Sequence, residues 1–318
     1  MSQPPAAAPD DGMVWIPGGV FTMGSDAHYP EEAPAHLANV DGFWMDRHAV
    51  TNEQFRRFVD ATQYVTVAER RPNKADYPDA RPEMLMPASA VFRNPGRRVD
   101  LREPYHWWIY VKGAQWRHPR GAGSSVRKLG DHPVVQIAWE DVQAYASWVG
   151  KQLPTEAEWE HAARGGLDAA EFAWGTEFMP QGQPMANTWQ GEFPIQNLVL
   201  DGYEWTAPVG AFPPNGYGLY EMTGNVWEWT TDWYSAQHAD TADHPCCAPV
   251  NPRGGGLEQS YDPQFPGVQI PRKVIKGGSY LCAENYCRRY RPAARSPQQI
   301  DTPTCHLGFR CIVRATPA

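Results

Sequence analysis

No apolar run in this sequence is long enough to cross a bilayer. The opening residues 1–11 have neither the positive start nor the apolar core of a signal peptide, and they read as a disordered lead. Both absences point to a cytoplasmic location, where a permanent disulfide is disfavoured. Positive charge is also in short supply: 28 Lys and Arg against 36 Asp and Glu leave a net charge of −8, which argues against a nucleic-acid or anionic-membrane surface. Soluble peptide substrates are compatible with it. No Gly/Ser-rich or charged linker divides the chain and no internal repeat occurs, so residues 12–318 read as one domain.

Long periodic stretches are few. In their place stand 14 Trp with 28 Gly and 31 Pro, the composition of a loop-rich fold held by aromatic packing. Thr51-x-x-Gln54 and Thr155-x-x-Glu158 have the capping-box form, in which side chains satisfy the free N–H groups of a helix start. Phe55, Phe58 and Val59 recur at helical spacing after the first box, and Gly165-Gly166 closes a short helix after the second. Val142, Tyr145 and Val149 give a further apolar face near 139–150. Short apolar runs at Trp15-Ile16, Phe21–Met23, Val134–Ile137 and Phe309–Val313 suit strands between Gly/Pro turns. The mixture is α+β.

Cysteine is rare as well, six in the chain, yet Cys282 and Cys287 stand together in an aromatic-rich segment introduced by Gly277-Gly278. Two thiols offered to one point can form a disulfide, supply half of a tetrahedral zinc site, or hold Cu(I), which favours thiolates at low coordination number. Zinc needs two more ligands. Neither Cys246-Cys247 nor Cys305 with Cys311 forms the usual C-x2-C knuckle, and no paired-histidine spacing follows. On spacing alone a structural disulfide and a reactive pair stand level.

Around these thiols, Gly277-Gly278-Ser279-Tyr280-x-Cys282, Tyr286-Cys287-x-Arg289-Tyr290-Arg291 and Leu307-Gly308-Phe309-Arg310-Cys311 closely resemble the aerobic formylglycine-generating enzymes, or sulfatase-modifying factors. Other segments match in order along nearly the whole chain, among them Leu153-Pro154-Thr155-Glu156-Ala157-Glu158-Trp159-Glu160 and Gly224-Asn225-Val226-Trp227-Glu228-Trp229. Those two mark a broad fold family; the paired cysteines separate the formylglycine-generating branch. The resemblance implies a C-type-lectin-like fold elaborated into a loop-rich single domain. It implies an activity too: oxidation of a sulfatase cysteine to Cα-formylglycine, within a Cys-x-Pro-x-Arg sequence of an unfolded or nascent chain, with O2 and a thiol reductant as co-substrates. Triplet O2 reacts slowly with a closed-shell thiol, so a one-electron donor is required. Cu(I) on Cys282 and Cys287 meets that requirement and leaves room for the substrate sulfur. By the same resemblance Ser279, Tyr286 and Trp227 line a small O2 pocket. The expected enzyme is a monomer.

Two structural calcium sites follow from the resemblance alone. One comprises Asn187 and Asp201 with the carbonyls of Thr188 and Tyr203; the other comprises Glu221 and Glu228 with the carbonyls of Gly224 and Val226. Calcium accepts such mixed oxygen sets, and no EF-hand loop is present. Some positions depart from the family pattern. Ala146, Ala163 and Pro292 replace disulfide cysteines of secretory members, which leaves Cys311 without that partner. Cys305-His306 stands where relatives often carry a small polar residue and Asn; Cys305 and Cys311 could pair with each other, and Cys246 and Cys247 have no assigned role. Arg289, Arg291 and Arg295 need acidic partners if they are buried. Trp107, Trp108, Trp116 and Arg117 are candidates for the peptide groove, with core packing an equal alternative. Two rival functions stand beside this one. An iron-dependent sulfur transferase of the ergothioneine type needs a helical domain with clustered histidines, which this sequence lacks. A non-catalytic lectin-like binding module would keep Cys282 and Cys287 as an inert disulfide.

Overall fold

The computed structural model of the protein describes residues 7–238 and 248–315. The chain enters through β1 (Met13–Ile16) and β2 (Gly19–Met23), returns in β3 (His36–Val40) and β4 (Phe43–Asp46), and then forms α1 (Asn52–Thr62). The first capping box starts that helix: the Thr51 hydroxyl accepts from the Gln54 N–H, and the Gln54 side chain accepts from the Thr51 N–H. After β5 (Ala88–Phe92) and β6 (Trp108–Lys112) come α2 (Trp139–Trp148) and α3 (Glu156–Arg164), the latter opened by the Thr155/Glu158 box and closed by left-handed Gly165. Loops then lead to β7 (Trp227–Trp233), β8 (Arg272–Lys276), β9 (Arg295–Gln299), β10 (Leu307–Gly308) and β11 (Ile312–Arg314). The fold is α+β, with three α-helices among the described residues.

Four small sheets result among the described residues. β4 sits between β1 and β11, both antiparallel to it, so the two ends of the chain are joined. The largest sheet has the order β10-β7-β8-β9, with β10 parallel to β7 and the other pairs antiparallel. The connection from β8 to β9 carries both thiols of the 282/287 pair.

Aromatic residues fill the interior. Phe55 of α1 meets the rings of Trp116 and Tyr145, and Phe309 packs edge-on to Tyr145. The same core cluster contains Trp227, Cys282 and Cys287. Ion pairs are buried beside it. Arg291 is bidentate to Glu32, Arg295 to Glu156, and Arg310 holds Glu228, all six groups being almost fully excluded from solvent. Lys276 and Arg164 both reach Glu160. Arg289 reaches Glu31 at 2.5 Å, so each of the three arginines expected to need an acid has one.

Several expectations are corrected. Val134–Ile137 is not a strand: Gln136 takes a left-handed backbone (φ 63°), and Val134 and Gln136 give their N–H groups to Val50 and Thr304 instead of a ladder. The run Phe309–Val313 is strand only from Ile312, because Arg310 turns inward onto Glu228 and Cys311 bonds to Asp46. The helix expected over 139–150 ends at Trp148, with Gly150 at φ 69°. Cys305 and Cys311 are free thiols in separate core clusters, so they do not pair. Cys246 and Cys247 lie outside the described residues, as does the lead over residues 1–6; Asp10, further along that lead, pairs with Lys151 at 2.5 Å.

Candidate active site

The thiol loop begins where β8 ends. Gly277 (φ 92°) and Gly278 (φ 71°) turn the chain in left-handed conformations. A Cβ on Gly277 would stand 2.6 Å from the Met222 carbonyl oxygen, and one on Gly278 would stand 2.7 Å from that of Arg289. Only glycine meets both demands. Two turns then follow in succession. The Cys282 N–H donates to the Ser279 carbonyl at 2.9 Å, and the Cys287 N–H donates to the Ala283 carbonyl at 2.8 Å. Their combined effect is to bring two side chains five residues apart to one point. The loop is also fastened from outside: Tyr280 N–H donates to Asn225 O and Trp189 N–H to Cys282 O, each at 3.0 Å.

The sulfurs of Cys282 and Cys287 lie 3.1 Å apart, both buried and both free. A disulfide would require about 2.05 Å. Burial raises the Cys282 thiol well above its ordinary value, whereas Cys287 is lowered to about 7, first by the hydrogen bond it accepts from Cys282. The Arg289 guanidinium, 3.9 Å from the Cys287 sulfur, works in the same direction. Cys282 therefore keeps its proton and shares it with a sulfur that ionises more readily than an ordinary thiol. Arg289 is held in turn by Glu31 and by the Tyr29 ring, whose centroid lies 3.8 Å from it.

Sequence reasoning left Arg289 outside the site and did not find Tyr29 or Glu31. The acid expected beside Arg289 was the one available signal. Its position, more than 250 residues away in sequence, carried no local pattern.

Ser279 is buried, with its N–H directed at the Cys282 sulfur at 3.4 Å and its hydroxyl accepting from the Leu281 N–H. Tyr286 stacks on Phe193 at 4.6 Å and meets Trp107 edge-on at 5.3 Å; burial pushes its phenol up to about 12, so it stays neutral. Trp227 is buried in the cluster that holds both thiols, and its N–H donates to the His306 carbonyl. Of the groove candidates, Trp107 and Trp116 are core residues. Trp108 is half-buried against His306 and Phe92, and Arg117 lies over Trp116 and bonds to Glu69.

Part of the first oxygen set comes together. Asp201 accepts from the N–H groups of Thr188 and Tyr203, and the Gln190 amide bridges Asp201 and the Thr188 carbonyl. Asn187 donates to Trp205 O and Asn225 Oδ1, while its own Oδ1 is buried without a partner. The second set is differently engaged. Glu228 accepts from Arg310 and from the Trp159 indole, and Glu221 accepts from the N–H groups of Gly210 and Phe212, with burial raising its carboxyl above the ordinary range. Among the described residues no three or more His, Cys, Asp or Glu side chains gather as a metal cluster.

Comparison with known proteins places this arrangement. Residues 2–315 match the family model described as the sulfatase-modifying factor enzyme 1-like domain. A protein of Mycobacterium tuberculosis named formylglycine-generating enzyme is 51% identical over 301 residues, covering 94% of this chain and 97% of that protein. A mouse protein named inactive C-alpha-formylglycine-generating enzyme 2 is 42% identical, covering 96% of this chain and 86% of its own. The solved structure of PvdO from Pseudomonas aeruginosa superposes with a TM-score of 0.62 at 22% identity, over 95% of this chain and 94% of that one, a likeness of fold. Overall similarity thus extends to active and inactive relatives alike. The chain belongs to the sulfatase-modifying factor family, the family of the formylglycine-generating enzymes.

Proposed function

We propose that this chain is a formylglycine-generating oxidase. It would convert the cysteine of a Cys-x-Pro-x-Arg segment in a sulfatase to Cα-formylglycine, with O2, a thiol reductant and Cu(I) held by Cys282 and Cys287. The observation that carries this reading is the sulfur pair itself, free, buried and 3.1 Å apart. Two sulfurs bound to one soft ion at about 2.3 Å each lie no more than about 4.6 Å apart, so a single ion is within reach of both. With no further His, Cys or carboxylate gathered as a metal cluster among the described residues, two thiolates suit Cu(I) better than zinc. When bound, copper supplies the one-electron chemistry that triplet O2 requires.

The chain's own residues prepare the site. Cys287, lowered to about 7, offers a sulfur that ionises near neutral pH, Cys282 must release its proton, and Arg289 faces the charge that remains. Tyr286, a neutral ring packed against the cluster that holds the pair and backed by Phe193 and Trp107, helps keep bulk water from the reacting sulfur. The balance closes with O2 as oxidant. The target CH2–SH gives up two electrons and two reductant thiols, which become a disulfide, give up two more, so O2 is reduced to two waters; water then replaces the sulfur of the resulting thioaldehyde, which leaves as H2S.

Calcium is proposed at the first oxygen set, where Asn187 Oδ1 is buried without a partner and Asp201 supplies a carboxylate. The second set does not fit a cation in this geometry, because Arg310 already neutralises Glu228. No helix of the described residues is long and apolar enough to cross a membrane. A cytoplasmic monomer acting on unfolded or nascent sulfatase chains completes the reading.

The test is mass spectrometry of a Cys-x-Pro-x-Arg peptide incubated with the protein, Cu(I), a thiol reductant and air. Aldehyde formation that stops on adding a Cu(I) chelator is the expected result. An unchanged peptide, with copper bound, would favour a binding module on the same fold.

A further inference from the structure

Residues 93–128 hold nine Lys and Arg against two Asp and Glu, in a chain whose net charge is −8. Three of the nine are paired, Arg98 with Glu192, Arg102 with Asp100 and Arg117 with Glu69. Arg93, Arg97, Lys112, Arg127 and Lys128 are exposed and have no acidic partner among the described residues. Arg120, also exposed, lies over the Trp205 ring at 4.5 Å.

Two cavities open along this basic band. One, of about 290 Å³, has Arg120, Trp205, Tyr280 and Cys305 in its wall; the other, of about 600 Å³, has Arg93, Trp189 and again Trp205. They meet at Glu204 and Trp205, which belong to both. Both are built on the thiol loop. Tyr280 precedes Cys282 by two residues, and the Trp189 N–H is bonded to the Cys282 carbonyl at 3.0 Å. The result is a pair of adjoining cavities, together a candidate groove, with aromatic walls resting on the thiol loop and an arginine in each half.

We propose that this groove takes the client polypeptide through acidic side chains that flank its target cysteine motif, with Arg93 and Arg120 as the residues that read them. The proposal rests on the oxidase reading above. A protein of net charge −8 repels an acidic segment at long range, and a local basic band reverses that field where the segment must dock. A polypeptide is favoured over a nucleic acid because the first cavity has Tyr280 of the thiol loop in its wall and the second has Trp189, which is bonded to that loop, while most of the remaining charge is negative.

The experiment measures binding without turnover. Fluorescent peptides carry the Cys-x-Pro-x-Arg core with its cysteine replaced by serine, flanked either by Asp and Glu or by Asn and Gln. Anisotropy is followed at low and high salt. The protein should bind the acidic-flanked peptide about five-fold more tightly than the neutral one at low salt, the size expected for a pair of exposed charge contacts. Salt should shrink that ratio. The double variant Arg93→Gln/Arg120→Gln should bring it to one and leave the neutral peptide's affinity in place, while Arg57→Gln, on the exposed face of α1, should not change it. Equal binding of the two peptides, a ratio that survives in the double variant, equal weakening of both peptides, or competition by oligo-dT as effective as by the acidic peptide would each overturn the proposal. Turnover is then assayed separately with the cysteine-containing peptides. Intact charge preference without aldehyde formation would remove the oxidase reading and leave the docking surface standing.

Discussion

Cys282 and Cys287 hold their sulfurs 3.1 Å apart, about one ångström beyond bonding distance, in a loop whose backbone is fixed on both sides. The pair is therefore poised between two fates, capture of a soft ion and closure to a disulfide. Mild oxidation of the metal-free protein should close it. The accessible thiol count by Ellman titration under denaturing conditions should fall by two, with a mass loss of two hydrogens between Cys282 and Cys287. Prior addition of Cu(I) should protect both. Unchanged thiols after oxidation would contradict the geometry.

The diglycine predicts the cost of disturbing that loop. Gly277→Ala places a methyl against the Met222 carbonyl oxygen and forces a left-handed backbone on a residue that resists it. Stability should fall by about 1–3 kcal/mol in urea unfolding, and Cu(I) affinity should fall with it. A variant as stable as the parent would show that the loop does not need this conformation.

Glu228 and Arg310 make the sharpest stability test. Glu228→Gln leaves the Arg310 guanidinium buried beside a neutral amide, and a loss of about 3–5 kcal/mol is expected. Exchanging both residues for apolar ones of similar size should recover much of that loss. The same measurement bears on the second calcium set. If Glu228 serves Arg310 alone, calcium chelation should not alter the wild-type minus Glu228→Gln difference.

Acid stability should depend on Glu160. Lys276 and Arg164 outweigh its burial and hold its carboxyl at about 2, below the ordinary 4.5. A folded-state value below the unfolded one stabilises the protein above pH 4.5, and that stabilisation is lost as pH falls through the interval down to 2; its size is on the order of 3 kcal/mol. Asp141 behaves in the opposite sense. Burial lifts it to about 6, so its contribution to stability declines as pH rises from 3.8 to 6. Urea midpoints of Glu160→Gln and Asp141→Asn against the parent, taken from pH 3 to pH 7, should converge at low pH for the first. For the second, the variant should gain relative to the parent as pH rises.

Much of this was legible in the residues, for local reasons. Capping boxes act over four residues, and both helix starts stand where Thr51 and Thr155 place them. The thiol pair lies within five residues, so its convergence needed only two short turns. Long-range partners were not legible. Glu31 and Tyr29 reach Arg289 across the whole chain, and the union of β1, β4 and β11 joins both ends through pairing that no short pattern announces. Val134–Ile137 misled because its apolar side chains serve a core loop whose N–H groups are bonded elsewhere.

In the proposed function Cys282 and Cys287 act as one unit on a soft metal and on the substrate thiol. Its most direct test is a paired assay of Cys282→Ser and Cys287→Ser, with Cu(I) stoichiometry by competition against a chelator and aldehyde yield by mass spectrometry in the same samples. About one copper per parent chain is expected, with metal affinity and aldehyde both lost in each variant. Aldehyde formed at parental yield by either single variant would contradict it.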